Sequence, residues 1–188
     1  YSAANNTTYY YVVTAIDTAA NESASSTEVT SQPSALTLLI FDDFETGFGN
    51  WFDGGADCVL DTSGSFVNGT SGVINLQDDT NTSVVSTGDL SLGSSSEVFV
   101  EFDFQVASFE GNERFALDVS TDGGVTFPFT ARVWINDVDF VDDGSVYNNE
   151  SVLISGIPLT DQTRIRFRCN ASNNGDDVYL DDIKVFER

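Results

Sequence analysis

Glu97–Ala107 reads EVFVEFDFQVA. Val98, Val100, Phe102, Phe104 and Val106 recur at every second position, and Phe99, Glu101, Asp103 and Gln105 fill the alternate ones. Successive side chains of a strand point to opposite faces, so the pattern predicts a long strand with one face in a core. Two further segments repeat it. In Arg114–Ser120, Phe115, Leu117 and Val119 face inward while Arg114 and Asp118 face outward. In Arg164–Cys169, Ile165, Phe167 and Cys169 face inward while Arg164, Arg166 and Arg168 face outward.

Outward from these three, short runs rich in Val, Ile and Phe alternate with clusters of Gly, Ser, Asn, Thr and Asp, and no apolar stripe of helical period interrupts them. That is the pattern of an all-β chain. The further strands expected are Leu38–Phe41, Cys58–Leu60, Gly72–Leu76, Ser83–Ser86, Phe129–Ile135, Glu150–Ser155 and Val178–Phe186. Phe109–Asn112 (FEGN) and Thr121–Gly124 (TDGG) read as hairpin turns, because Gly and Asn tolerate positive φ. The expected architecture is all-β, a two-sheet antiparallel jelly-roll β-sandwich over residues 38–188. Residues 33–37 form a linker, and residues 1–32 read as two strands, Tyr9–Ile16 and Ser26–Thr30, too few to close a sandwich.

The composition narrows the function. The 188 residues carry 30 Asp and Glu against 7 Lys and Arg, a formal charge of −23. Such a surface repels phosphate backbones and anionic lipid, which argues against nucleic acid as a partner. It suits solubility in salt water, or hard cations held by carboxylate oxygen. The chain has no His, and its two cysteines, Cys58 and Cys169, form no CxxC pair, which removes zinc-finger, zinc-hydrolase and His-based catalytic chemistry. Carboxylate pairs are too abundant to single out a glycosidase dyad, so the chain is read as not an enzyme. No apolar run is long enough for a spanning helix, and membrane insertion is not expected. Lacking Met and starting at Tyr1, the chain is expected to be part of a longer protein.

Two parts of the chain resemble known families. TTYYYVVTAIDTAANESASSTEVTSQP (Thr7–Pro33) resembles the last two strands of a fibronectin type III domain. FDDFETGFGNW (Phe41–Trp51), STDGGVTF (Ser120–Phe127) and RIRFRCNASNNGDDVYLDDIKV (Arg164–Val185) resemble bacterial extracellular jelly-roll modules of the carbohydrate-binding and MAM-like kind. The second resemblance implies a secreted or cell-surface location and a structural Ca²⁺ between the first and last strands. The positions that match its ligands are Glu45, with Asp43 nearby, and Asp181 or Asp182. It also implies a Cys58–Cys169 disulfide; the other reading is two buried thiols.

A ligand face is expected where outward positions of several strands converge. Glu101, Asp103, Arg114, Arg166 and Arg168, with Arg132 and Trp134 from Phe129–Ile135, would form a sugar-binding concave face if their strands are neighbours. Trp134 would be the apolar platform for a pyranose, and the arginine row would suit hydroxyls, sulfate or uronate. Solvated cross-strand ion pairs explain the same charges without a ligand. A second possible site is the loop rim, with Trp51, Phe52, Asp53, Gln77–Thr82 and Asp142–Asn149. Asn-x-Ser/Thr triplets at Asn68, Asn149 and Asn170 imply glycans only in a eukaryotic host. The leading expectation is a carbohydrate-binding module that binds a polysaccharide, neutral or anionic, alongside other domains of the same chain. The alternative is a structural or adhesive module without glycan affinity.

Overall fold

The computed structural model describes residues 3–63 and 71–188; the triplet at Asn68 lies outside them. The chain divides into two units, residues 1–36 and Thr37–Glu187. In the first, β1 (Tyr9–Tyr11) pairs antiparallel with β2 (Val29–Ser31), and Ile16 bridges Glu22. The turn between the bridged residues is organised by Asp17, whose carboxylate accepts from the amides of Ala19 and Asn21 and from the Asn21 side chain. These bonds, Asn21 first, hold the Asp17 carboxyl below its ordinary range. Tyr10, Val13, Ile16 and Val29 are exposed, and no hydrophobic side chain of this unit is buried among the described residues. Both strands are three residues long, shorter than expected, because little apolar contact rewards extension.

The second unit is a sandwich of two antiparallel sheets. Its strands are β3 (Thr37–Asp42), β4 (Trp51–Asp53), β5 (Cys58–Asp61), β6 (Val73–Gln77), β7 (Val84–Thr87), β8 (Glu97–Ala107), β9 (Arg114–Ser120), β10 (Phe129–Ile135), β11 (Val146–Ser155), β12 (Arg164–Asn170) and β13 (Asp177–Glu187). The order is β10-β9-β12-β7-β4 in one sheet and β11-β8-β13-β6-β5 in the other, where β3 also pairs with β13. After β8 the chain crosses repeatedly between sheets, which is the jelly-roll arrangement.

The alternation in the three diagnostic segments holds at every inward position. Val98, Val100, Phe102, Phe104 and Val106 are buried, as are Phe115, Leu117, Val119, Ile165, Phe167 and Cys169. Phe102 lies at the centre, edge-on to Trp134 at 5.2 Å and to Phe167 at 4.8 Å. Burying aromatic side chains of this size supplies much of the driving force for closing the sandwich.

Two expectations about sidedness are corrected. The first concerns Trp134. A bulge between Thr130 and Arg132 inserts one residue into β10 and reverses the parity of the strand beyond it. Trp134 therefore points inward, 1 % exposed, and stacks on its cross-strand partner Phe115 at 4.7 Å. Its indole N–H donates to Glu150 Oε2 at 3.1 Å. It is a core residue and cannot serve as a sugar platform. The second concerns Glu101 and Asp103. They lie on β8 in the six-stranded sheet, while Arg114, Arg166 and Arg168 lie on β9 and β12 in the other. The two sets face outward on opposite sides of the sandwich, because the chain changes sheets between β8 and β9.

Candidate functional site

The outer face of the five-stranded sheet carries a continuous cross-strand row. Register places Thr130 beside Asp118, Asp118 beside Arg166, Arg166 beside Ser86, and Ser86 beside Phe52. The adjacent row runs from Val133 through Ala116 and Arg168 to Val84. Parity fixes the row: once Leu117, Phe167 and Val85 are inside, their strand neighbours are outside.

Asp118 organises the row. Its side chain is nearly inaccessible, and it accepts from Arg166 at 2.8 Å, Arg168 at 3.1 Å and Thr130 at 2.8 Å. Burial alone would push its carboxyl up; the bonds from Arg166, Thr130 and Arg168 outweigh that and hold it below the ordinary range. Both guanidinium groups are thereby fixed, yet each keeps part of its surface open to solvent. The Arg166 guanidinium also lies over the Phe127 ring at 4.0 Å, and its buried Nε has no hydrogen-bond partner among the described residues. At the far end of the row Phe52 is 62 % exposed, an aromatic surface held on a strand. Phe52 also borders a groove of about 420 Å³ with Asn50, Gly88, Asp89 and Leu90. Asp89 pairs with Arg164 Nε at 2.6 Å.

The face thus offers what sugar recognition requires: an apolar aromatic surface next to rigidly held donors and acceptors. It holds two of the arginines that sequence parity placed together, Arg166 and Arg168, with Arg114 at the end of β9. Arg132 is engaged elsewhere, bonded to Asp139 at 2.9 Å with its guanidinium 5.7 Å from the Trp134 ring. Of the rim residues, Trp51 is buried beside Phe167, and Tyr147 stacks on Phe104 at 4.7 Å, so both serve the core. Phe52 is the exception. The sequence placed it on the rim, and the short strand β4 that aligns it with Arg166 was not expected.

The residues expected at a calcium site flank one seam of the six-stranded sheet. β6 pairs with Asp177–Leu180 and β3 with Ile183–Glu187, so Asp181 and Asp182 fall where one partner strand gives way to the other. Asp182 adopts φ +49° at this bulge. The ends of β3 and β6 bring in Asp43, Glu45 and Gly72. Glu45 accepts from the amides of Ser71 at 2.9 Å and Gly72 at 3.2 Å, and from the Ser71 hydroxyl. A Cβ at Gly72 would come 2.2 Å from the Phe44 carbonyl, so this approach requires glycine. Asp181 is fully buried opposite Asp103, itself 7 % exposed. Asp103 Oδ1 accepts from the Asn149 amide and Asp181 Oδ1 from the Asp182 amide. The donors are all oxygen, the kind a hard cation takes, but among the described residues no three of these carboxylates come within ligand distance of one another.

The expected disulfide is absent from this structure. Cys58 on β5 and Cys169 on β12 are both free and buried, and burial pushes each thiol up to about 12.

No protein-family model matches the chain, and no curated protein matches it by sequence. Solved structures do match by fold. The CBM22-1 and GH10 modules of Clostridium thermocellum endo-1,4-beta-D-xylanase 10B, complexed with xylohexaose, share 15 % identity over 80 % of this chain at TM-score 0.56, and the match spans 28 % of that longer chain. The CBM22-1 xylan-binding domain of Paenibacillus barcinonensis Xyn10C shares 14 % over 81 % of this chain and 96 % of its own, at TM-score 0.55. The K3 cleaved adhesin domain of Porphyromonas gingivalis Lys-gingipain shares 16 % over 81 % and 99 %, at TM-score 0.55. The fold is therefore that of the carbohydrate-binding-module and cleaved-adhesin jelly rolls. The fibronectin-like reading of residues 1–32 draws no support from these likenesses.

Proposed function

We propose that this chain carries a non-catalytic carbohydrate-binding module, and that the outer face of the five-stranded sheet is its ligand surface. The observation that carries the reading is the row from Phe52 to Asp118. An exposed aromatic ring stands in line with a guanidinium that is oriented by a buried carboxylate. Phe52 would cover the apolar face of a sugar ring, while Arg166 and Arg168 bond its hydroxyls or a uronate. The fold likeness to xylan-binding modules supports the class, and a polysaccharide rich in xylose or uronic acid is the ligand class proposed. An extracellular location goes with that reading.

Ca²⁺ is proposed as a structural ion at the seam of β3, β6 and β13, held by Glu45 and by Asp181 or Asp182, with Asp43 adjacent. The ion would neutralise acids that the fold buries at that seam; the chain's own part is to fix Glu45 through Ser71 and Gly72.

The test of binding is retardation in native gels cast with neutral and anionic polysaccharides. Retardation by one class is expected, and Phe52→Ala should lower the affinity at least tenfold without lowering the melting temperature. A folded protein retarded by none would favour the second reading, an adhesive or structural module, to which the likeness to the adhesin domain lends its support.

A further inference from the structure

The arginines on the outer face of the five-stranded sheet outnumber the acids set against them. Arg114, Arg164, Arg166 and Arg168 stand at outward positions of β9 and β12, where Asp118 is the one carboxylate. Asp89, in the loop after β7, pairs with Arg164. Arg114 is in no ion pair among the described residues. Arg166 and Arg168 share Asp118, and both bind the same oxygen, Oδ2. Two guanidinium groups therefore sit side by side on one carboxylate. It balances one of their charges and leaves the other without a counter-charge.

The nitrogens that Asp118 takes decide which donors remain. Arg168 donates to it through Nε, and its terminal nitrogens, Nη1 and Nη2, have no hydrogen-bond partner among the described residues. Its side chain is 32 % exposed. Two parallel donors on one planar edge match the two oxygens of a carboxylate. Arg166 donates through Nη2 and is held against the Phe127 ring, which steadies Asp118 and through it Arg168. The net charge of −23 does not cancel this local excess. At physiological salt, charges more than about 8 Å apart are largely screened. The acids on the outer face of the six-stranded sheet lie beyond the full thickness of the sandwich, where the sheets alone are about 10 Å apart.

Phe52 and Arg166 share a cross-strand row with Ser86 between them. Neighbouring strands lie about 4.8 Å apart, so the ring and the guanidinium are separated by about 10 Å across the sheet. One pyranose does not bridge that span, so the ligand meets the arginines with a different sugar from the one that covers Phe52.

We infer that this face selects an acidic glycan: Arg168 binds the carboxylate of a uronic acid through Nη1 and Nη2, on a sugar that neighbours the one stacked on Phe52. The inference rests on the sugar-binding reading of this face and adds the charge class of the ligand and the residue that reads it.

The experiment is calorimetric titration of the full chain with two xylo-oligosaccharides of the same backbone. One carries a glucuronic acid branch, and the other carries the same branch with its carboxyl reduced to the alcohol. The acidic ligand should bind at least tenfold more tightly than its reduced twin. Arg168→Gln should bring the two within threefold of each other, and Arg168→Lys, which keeps the charge but not the paired donors, should recover only part of the difference. Melting temperatures check that both variants are folded, and the comparison of the two ligands on the unmodified chain needs no variant. Equal binding of the two ligands by the unmodified chain would overturn the inference and leave the sugar-binding reading standing. A tenfold preference that survives in Arg168→Gln would overturn the assignment to Arg168. Binding of neither ligand would remove the sugar-binding reading and the inference with it.

Discussion

Replacing Asp118 by Ala removes the acceptor that holds Arg166, Arg168 and Thr130. Charge-assisted hydrogen bonds contribute about 1.5–3 kcal/mol each, and breaking a fully buried pair costs about 3–5 kcal/mol. The guanidinium groups are about a quarter to a third exposed and regain water when freed, so the lower end applies. The expected loss is about 3 kcal/mol, or roughly 6–12 °C in melting temperature for a unit of this size. Asp118→Asn keeps the Thr130 acceptor and should lose about half as much. Urea unfolding at pH 7 gives the free energies. The Asp118 carboxyl is held low in the folded state, so its contribution is complete above the ordinary carboxylate range and fades as pH falls through the lowered value. The gap between the unmodified protein and Asp118→Asn should therefore narrow in acid. A loss below about 1 kcal/mol for Asp118→Ala would refute the view that this carboxylate organises the face.

The Asp177 carboxyl behaves oppositely. Burial pushes it up, and Oδ1 is buried without a hydrogen-bond partner among the described residues, while Oδ2 accepts from Tyr179. Its protonated form is favoured by folding, so that contribution is present in acid and lost as pH rises through the raised value. Asp177→Asn should melt higher than the unmodified protein at pH 7, with the advantage shrinking toward pH 3; an equal or lower melting temperature at pH 7 counts against this. Trp134→Ala should cost about 3–5 kcal/mol of stability, measured by the same urea unfolding, since it empties a filled core position. Titration of the denatured, unreduced protein should find two thiols, and finding none would restore the bridge that the family resemblance implies.

How much of this was legible depends on the period of two. Where a strand was regular, as in Glu97–Ala107 and Arg164–Cys169, the inward residues were readable one by one. Trp134 was misplaced because a bulge at Thr130–Arg132 leaves no mark in residue type, and one inserted residue exchanges the faces. Glu101 and Asp103 were placed on the arginine face because alternation gives a side of a strand but not the sheet it belongs to. The strand Trp51–Asp53 is too short to show a pattern, and Phe52 gained its place only through pairing with β7. The seam residues Glu45, Asp181 and Asp182 were singled out through resemblance alone. The pairing of β13 with two successive strands, which puts Asp181 and Asp182 at their junction, is a long-range fact with no local signal.

The most direct measurement is chemical-shift mapping of the ¹⁵N-labelled protein with xylo-oligosaccharides and with uronic-acid oligosaccharides. The account predicts saturable shifts at Phe52, Ser86, Asp118, Thr130, Arg166 and Arg168, fading away from the outer face of the five-stranded sheet. Shifts confined to the six-stranded sheet, or none with any oligosaccharide, would contradict it.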